Sequence, residues 1–530
     1  MSAATNISQP EISVLVAEAT GGRSDFRRRI ASISRQSFVY FAGTILTAAA
    51  GYFFKIYLAR VLGAEALGLY ALGMTMIGFA GIVNSIGLPT AAAKFVAAYL
   101  ARGEHSALVQ FLRSGFALLS ALNVLLAAAI VIIGPWVATH FYHAPQLNTY
   151  LWAFAAMMAF GVFNAFLAQV MAGYQDVARR TLITHFIGTP ATIATAVALI
   201  SLGFGLRGYL VAQVASAVLV LALLCRCVWK MTPRPTTTIA AIRFEPQVLS
   251  FSAVACGMSA LQFALAQTDM IVLGHYVNSR QLGIYAVAMA VVGFVSIALD
   301  SVNQIFSPII SELHAAENRV LLQQLYSTLT KWIVIATLPM AVTLALFSRS
   351  LMSIFGPSFQ PGAGVLALGT IGQLVNCAVG SVGYLLLMSG NQTELIKIEA
   401  VNAGILILLN LILVPPMGIT GAAVAVAITA VTTNVWALAS VRRLLNIFPY
   451  RSGHFRLLGP ALITTACIWA LSRISVGAYK PWQFAGFALI AGYVIFLVAI
   501  YLVGFEHDDR ELAKLAWGKL GRHVRKFATA

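Results

Sequence analysis

About fourteen apolar stretches, each long enough to cross the hydrocarbon core of a bilayer, follow one another along the chain. They fall at 37–59, 66–88, 115–137, 151–173, 182–203, 208–229, 249–276, 281–303, 332–354, 363–389, 399–416, 419–439, 457–477 and 482–504. Each is predicted to be a helix, because lipid offers backbone N–H and C=O groups no partner and only a helix satisfies them within one segment. Polar residues punctuate the stretches. The strongest break is Met231–Gln247, basic and carrying Pro233, Pro235 and Thr236–Thr238. It separates six spans from eight. Six organisational blocks follow: a polar, basic N-terminus expected to be disordered (1–36), a six-helix lobe (37–230), a cytoplasmic inter-lobe loop (231–248), a second six-helix lobe (249–440), two additional spans (441–504) and a basic tail (505–530). Two polar-to-apolar segments, Thr90–Leu112 and Pro308–Tyr326, show helical spacing of apolar residues and suit either interfacial helices or solvated connections.

The two lobes repeat each other. Ile56, Leu58, Leu67, Gly68, Tyr70, Ala71, Met74, Gly78, Phe79 and Ile82 recur as Ile271, Leu273, Leu282, Gly283, Tyr285, Ala286, Met289, Gly293, Phe294 and Ile297, at a constant shift (283 − 68 = 215) without a gap. Shared aliphatic residues carry little weight in so apolar a chain. Two glycines, a tyrosine and a methionine in register do not follow from composition. A six-span half ends on the side where it began, so the copies have the same orientation and are related by an axis along the membrane normal. Many secondary transporters are built in this way.

Composition agrees with a membrane protein: 60% of the 530 residues are hydrophobic and only 10% charged, where a soluble domain carries about 25%. The net charge of +17 has the size of a nucleic-acid signal but the wrong distribution. Counted from a cytoplasmic N-terminus, basic residues crowd alternate loops: Arg27–Arg29, Lys94, Arg102, Arg113, Arg179, Arg180, Arg243, Lys331, Arg442, Arg443 and the tail. The other side holds Arg60, Arg207, Arg280, Arg349, Arg473 and Lys480. That asymmetry predicts an even number of spans with both termini cytoplasmic, and assigns the charge to topology and anionic lipid, not to nucleic acid. The hydrophobic stretch after the N-terminus is too long for a signal-peptide core and reads as an uncleaved first helix. The five cysteines (Cys225, Cys227, Cys256, Cys377, Cys467) show no disulfide or zinc spacing, and neither GxxxxGK[ST] nor HExxH occurs. No cofactor and no metal centre is expected.

The run Leu58-Ala59-Arg60-Val61-Leu62-Gly63-Ala64-Glu65-Ala66-Leu67-Gly68-Leu69-Tyr70 resembles the signature of the polysaccharide-transport family, the oligosaccharide and O-antigen flippases. Gly87-Leu88-Pro89, Ala93–Ala97 and Gly103-Glu104 continue the pattern, and Gly383–Asn391 is similar to the family's tenth span. The resemblance covers about Arg35 to Gly504, with a longer N-terminal extension than the family usually shows. It implies an all-α fold of two six-helix lobes in a V around a central cavity, with two extra C-terminal helices. It further implies alternating access, export of a polyprenyl-diphosphate-linked oligosaccharide across the bacterial inner membrane, and neither nucleotide nor cofactor. A polysaccharide polymerase and a chain-length regulator are the implied protein partners. Multidrug or cation antiporters and lipid II flippases of the same superfamily are the alternatives. A glycan polymerase or glycosyltransferase is a remote one, since its acids would sit on a substantial outer loop and the outer loops here, such as His140–Tyr150 and Gly356–Gly362, are short.

Ionisable residues within spans are costly and tend to face a cavity. Here they are Lys55, Asp269 and Asp300, with His185 a titratable fourth. Lys55 either snorkels to the outer interface or meets an anionic headgroup. Asp269, which the repeat aligns with Phe54, is placed to pair with Lys55 or to couple transport to an ion. Asp300 is a second coupling candidate, or a hydrated helix-end carboxylate. Lys94 lies at the cytoplasmic mouth, where a diphosphate would arrive. Asn84, Gln262, Gln267, Asn303 and Gln373 lie on spans that line the cleft in the family fold and are expected to meet sugar hydroxyls, with interhelical hydrogen bonding as the competing role. Tyr70 and Tyr285 read as interface-belt residues.

Overall fold

A computed structural model describes residues 50–232, 244–450, 452–473 and 481–503. The expected N-terminal segment, the first half of span one, most of the inter-lobe loop and the basic tail lie outside the described residues. Within them the chain is helical, without a strand.

Among the described residues twelve helical runs are long and apolar enough to span a membrane. That is two fewer than the fourteen crossings expected, and the difference lies at two places. The run Ala50–Arg102 has 53 residues, about 80 Å of helix at 1.5 Å per residue, more than twice a bilayer core. Gly63 (φ +79°) and Gly87 (φ +70°) break it, so it holds spans one and two and a following helix. Leu458–Arg473, at 16 residues, is shorter than the other spans and is not among the twelve. Exposed apolar side chains such as Ile132, Trp229, Leu462 and Leu502 are what a lipid-facing surface requires.

The described chain forms two compact units. The first takes Ala80–Val131 and Trp152–Gly257 with the described residues up to Lys55. Its core forms where Leu88–Arg102, capped at both ends by left-handed glycines (Gly87, Gly103), lays Leu88, Ala91, Ala92, Phe95, Val96 and Tyr99 against Phe111, Phe166, Val170 and Leu224. Leu88–Arg102 is therefore a packed helix. In the second repeat the matching position is Val302, with no glycine to break the helix, and Ile297–Ala315 runs on through Pro308.

The second unit takes Ile56–Phe79, Ile132–Leu151 and the chain from Met258 onward. Its largest cluster joins Phe306, Ile310, Tyr326, Leu385, Leu386, Ile398 and Val441. Where the hydrophobic pattern predicts one span over 363–389, the helix stops at Val379 because Gly380 adopts φ +75°, and a short helix Val382–Met388 follows. The carbonyls freed by the break are taken by side chains: Tyr326 Oη donates to Val379 O at 2.9 Å and Tyr450 Oη to Ala378 O at 3.1 Å. The last two helices pack on Arg319–Leu346, with Phe496 and Ile500 against Ile335, and Ala485, Ala488 and Ile468 against Phe347.

Candidate functional site

The repeated hairpins meet inside the second unit, and they meet reciprocally. A Cβ placed on Gly68 would collide with the backbone carbonyl of Ser279, and one placed on Gly283 with that of Ala64. The repeat shift carries Ala64 onto Ser279 and Gly68 onto Gly283, so each copy offers the same pair of small residues four apart to the other. Reciprocal contacts are what a two-fold axis produces. Small residues at this spacing allow two helix backbones to touch, which in a membrane is a main source of helix association.

The same relation extends to the loops. Arg60 Nε donates to Ile354 O at 2.7 Å, tying the first hairpin to the loop after the ninth span. Its repeat equivalent, His275, bonds through Nδ1 to Phe141 O at 2.8 Å, tying the second hairpin to the loop after the third. Each of those loops ends in a proline-initiated 3₁₀ turn, Pro145–Tyr150 and Pro357–Gly362. Further along the first hairpin, Thr75 Oγ1 donates to Gln267 Oε1 at 3.3 Å, and Gly78 lies beneath the ring of Phe263.

Asp269 is buried, and its partner is a tyrosine. Tyr285 Oη, itself without exposed surface, donates to Asp269 Oδ2 at 2.5 Å, and the Met270 amide donates to Oδ1 at 2.8 Å. The carboxylate expected to pair with Lys55 is thus held by donors of its own hairpin, because the chain folds back at Asn278 and returns Tyr285 alongside it. Tyr285 is correspondingly no interface-belt residue. The arrangement belongs to the second copy alone, since the first has Phe54 where the second has Asp269.

The remaining candidates divide. Lys55 is exposed on its helix in the first unit. Lys94 is exposed too, with its ammonium 4.2 Å from the Phe251 ring centre and 5.5 Å from that of Phe95, a cation–π seat. Asn84 is fully buried and donates from Nδ2 to Asn123 Oδ1, while Asn123 passes a bond to Ala159 O at 3.0 Å; this is an interhelical chain. Asn303 is buried, with its Oδ1 unpartnered among the described residues. Gln262 and Asp300 are exposed, and Gln267 and Gln373 are half-buried. Asp300 sits in the first turn of Ile297–Ala315, where the helix dipole favours a carboxylate. Of the other polar span residues, Asn402, Asn410 and Asn434 bond back to carbonyls of their own helices, and Asn402 also accepts from Thr432.

Two features escape the sequence. Lys331, counted among loop charges, is only 6% exposed within Arg319–Leu346. The Ser279 and Ala64 carbonyl contacts are the other, legible only as small residues flanking a known repeat. Among the described residues no group of three or more His, Cys, Asp or Glu side chains converges as a metal site, and the five cysteines are free.

A family model described as "Polysaccharide biosynthesis protein" matches residues 57–361, more than half of the chain and the stretch that contains both hairpins. The chain belongs to this polysaccharide biosynthesis family. Among solved structures it is similar to a lipid II flippase, MurJ, in an inward closed conformation, at 16% identity and TM-score 0.70, covering 87% of this chain and 98% of that one. It is similar as well to an inward-facing multidrug resistance MATE family transporter of the MOP superfamily, at 15% identity and TM-score 0.60, over 77% and 98%. The MATE multidrug transporter DinF-BH matches at 16% identity and TM-score 0.57, over 78% and 96%. No curated protein matches the chain. At these identities the structural likeness establishes the fold, and it is the fold that the motifs imply. As a family member built on it, the chain is a multi-pass membrane protein whose duplicated hairpins are held together by backbone contact.

Proposed function

We propose that the protein is a flippase that moves a polyprenyl-diphosphate-linked oligosaccharide outward across the bacterial inner membrane by alternating access, for surface polysaccharide assembly. The observation that carries this reading is a polysaccharide biosynthesis family match on a chain that shares 87% of its length with a lipid II flippase fold. Family supplies the pathway class and fold supplies the transport class. In this reading the termini are cytoplasmic and the hairpin ends bearing Gly63 and Asn278 face out. The hairpins, packed together at that end, must then part to release cargo. Lys55 and Lys94 attract the diphosphate, while Gln262, Gln267, Asn303 and Gln373 serve the sugars. Asn84, sealed in its chain with Asn123, contributes to the scaffold through which its helix moves.

A strain lacking the gene should accumulate lipid-linked repeat units and lose the surface polymer, and the cloned gene should restore it. Loss of the polymer without accumulation of the lipid-linked unit would instead place the protein in synthesis. The second reading, a multidrug or cation antiporter, is supported by the MATE fold and by the lone buried carboxylate of the second repeat. Normal polymer with heightened sensitivity to cationic drugs would favour it.

In the flippase reading Asp269 couples the cycle to an ion. Asp269→Asn keeps an oxygen that accepts from Tyr285 but removes the charge, so export should fall while the melting temperature stays near that of the parent. Tyr285→Phe, by contrast, deprives the carboxylate of its side-chain donor and should cost about 1–3 kcal/mol of stability. Unchanged export by Asp269→Asn across several external pH values would remove Asp269 from the cycle.

A further inference from the structure

We propose that His143 and His275 form a binding site for a divalent transition metal, of the zinc, nickel or copper type, joining a loop of the first repeat to a helix of the second. The fold fixes the tautomer of His275. Its Nδ1 lies 2.8 Å from Phe141 O, and a carbonyl can only accept, so Nδ1 carries the proton. Neutral His275 therefore presents a bare Nε2. An imidazole whose other nitrogen donates to a backbone carbonyl is the usual form of a metal-ligating histidine.

The repeat explains why that nitrogen is spare. Arg60 does the same work in the first copy, donating to the loop of the other repeat through its guanidinium. Where the second copy has histidine, one ring nitrogen keeps the clasp and the other is left over. The ring of His143 stands beside that of His275, with the centroids 5.4 Å apart. Two imidazoles sharing one tetrahedral metal, with metal–nitrogen bonds near 2.0–2.1 Å, hold their centroids about 5 Å apart.

The placement is built into the fold and does not depend on loop fluctuation. Tyr142, 6% exposed, packs its ring directly on Gly274, where any Cβ would strike it. Phe141 lies against His275 with centroids 5.0 Å apart. Between buried Tyr142 and buried Ala144, His143 is exposed and held at φ +50°, a conformation uncommon for a residue with a side chain. Strain of this kind at an exposed imidazole is an observation that points to use. Among the described residues no third His, Cys, Asp or Glu joins the pair, so solvent completes the coordination.

The test is made on the purified full-length protein with Cu²⁺ as the probe, read by electron paramagnetic resonance, and with Zn²⁺ by thermal shift. The parent should bind one Cu²⁺ with nitrogen couplings from two imidazoles, and Zn²⁺ should raise its melting temperature. His143→Asn suits the left-handed backbone and removes one ligand, so it should weaken binding by about tenfold or more and abolish the two-imidazole signature. His275→Arg recreates the arrangement of Arg60, keeping the clasp on Phe141 while removing the metal ligand, and should lose the site in a folded protein. His140→Asn, whose ring is stacked on Trp136, should bind as the parent does. Amide exchange in residues 137–144 should slow on adding Zn²⁺. Parental Cu²⁺ spectra in His143→Asn or His275→Arg, or loss of the site in His140→Asn, would overturn the assignment. Metal binding is measured here without transport, so its failure leaves the flippase reading standing and its success does not depend on that reading.

Discussion

Alanine at both Gly68 and Gly283 opens the paired end of the hairpins and stops export. Each new Cβ would meet a backbone carbonyl, Ser279 in one case and Ala64 in the other, and a carbonyl cannot turn aside as a flexible side chain can. Overpacking of this kind costs on the order of 3 kcal/mol for the pair. A penalty of that size on one of two states moves their ratio by roughly a hundredfold. Thr75, 3% exposed in the packed state, reports the change. With the five native cysteines replaced, Thr75→Cys should react slowly with an impermeant thiol reagent in the parent and at least about tenfold faster in the double variant. Gly257→Ala, where a Cβ meets nothing, is the control and should behave as the parent. Slow labelling and normal export in the double variant would mean that the hairpins do not part during transport.

Lys55 separates a carrier of anionic lipid from a carrier of cations. Its side chain is exposed, so substitution removes little packing and changes in export are read without a folding defect. A diphosphate brought into a dry chamber needs a positive partner, because an unpaired buried charge costs several kcal/mol. Lys55→Ala should therefore abolish export, Lys55→Arg should retain much of it, and Lys55→Glu should be worse than alanine. The readout is the surface polymer at matched membrane levels of each variant. A lysine that merely snorkels to the interface gives a different series, in which alanine is mild and the sign of the charge has little effect. Full export by Lys55→Glu would decide for snorkelling.

Spans, repeat and family motifs are legible in the sequence because each rests on a local pattern. A stretch of about 20 apolar residues has few other fates, and Gly68 and Gly283 stand out once the copies are aligned. What the glycines touch is not legible, since the sequence shows a small residue but not the carbonyl it admits. Asp269 stands out by its cost in an apolar span, yet nothing in the sequence names Tyr285 as its donor. Tyrosine near a span end reads as a belt residue until the fold turns it inward. Lys331 misleads in the opposite way, as a basic residue beside a predicted boundary that lies well inside a longer helix. The break at Gly380 is hidden because one glycine within an apolar run carries no signal of its backbone angle. His143 and His275 are 132 residues apart (275 − 143), and no spacing rule connects them.

The central claim is that this protein moves a lipid-linked oligosaccharide from one leaflet to the other, and purified protein in sealed liposomes tests it most directly. The liposomes carry a polyprenyl-diphosphate oligosaccharide in both leaflets, and an added lectin or periodate reaches only the outer one. A flippase should render nearly all of the lipid accessible within the assay, and Lys55→Glu should leave only the outer-leaflet share accessible, as protein-free vesicles do. Accessibility fixed at the outer-leaflet share with the parental protein, under imposed proton and sodium gradients of either direction, would contradict the account.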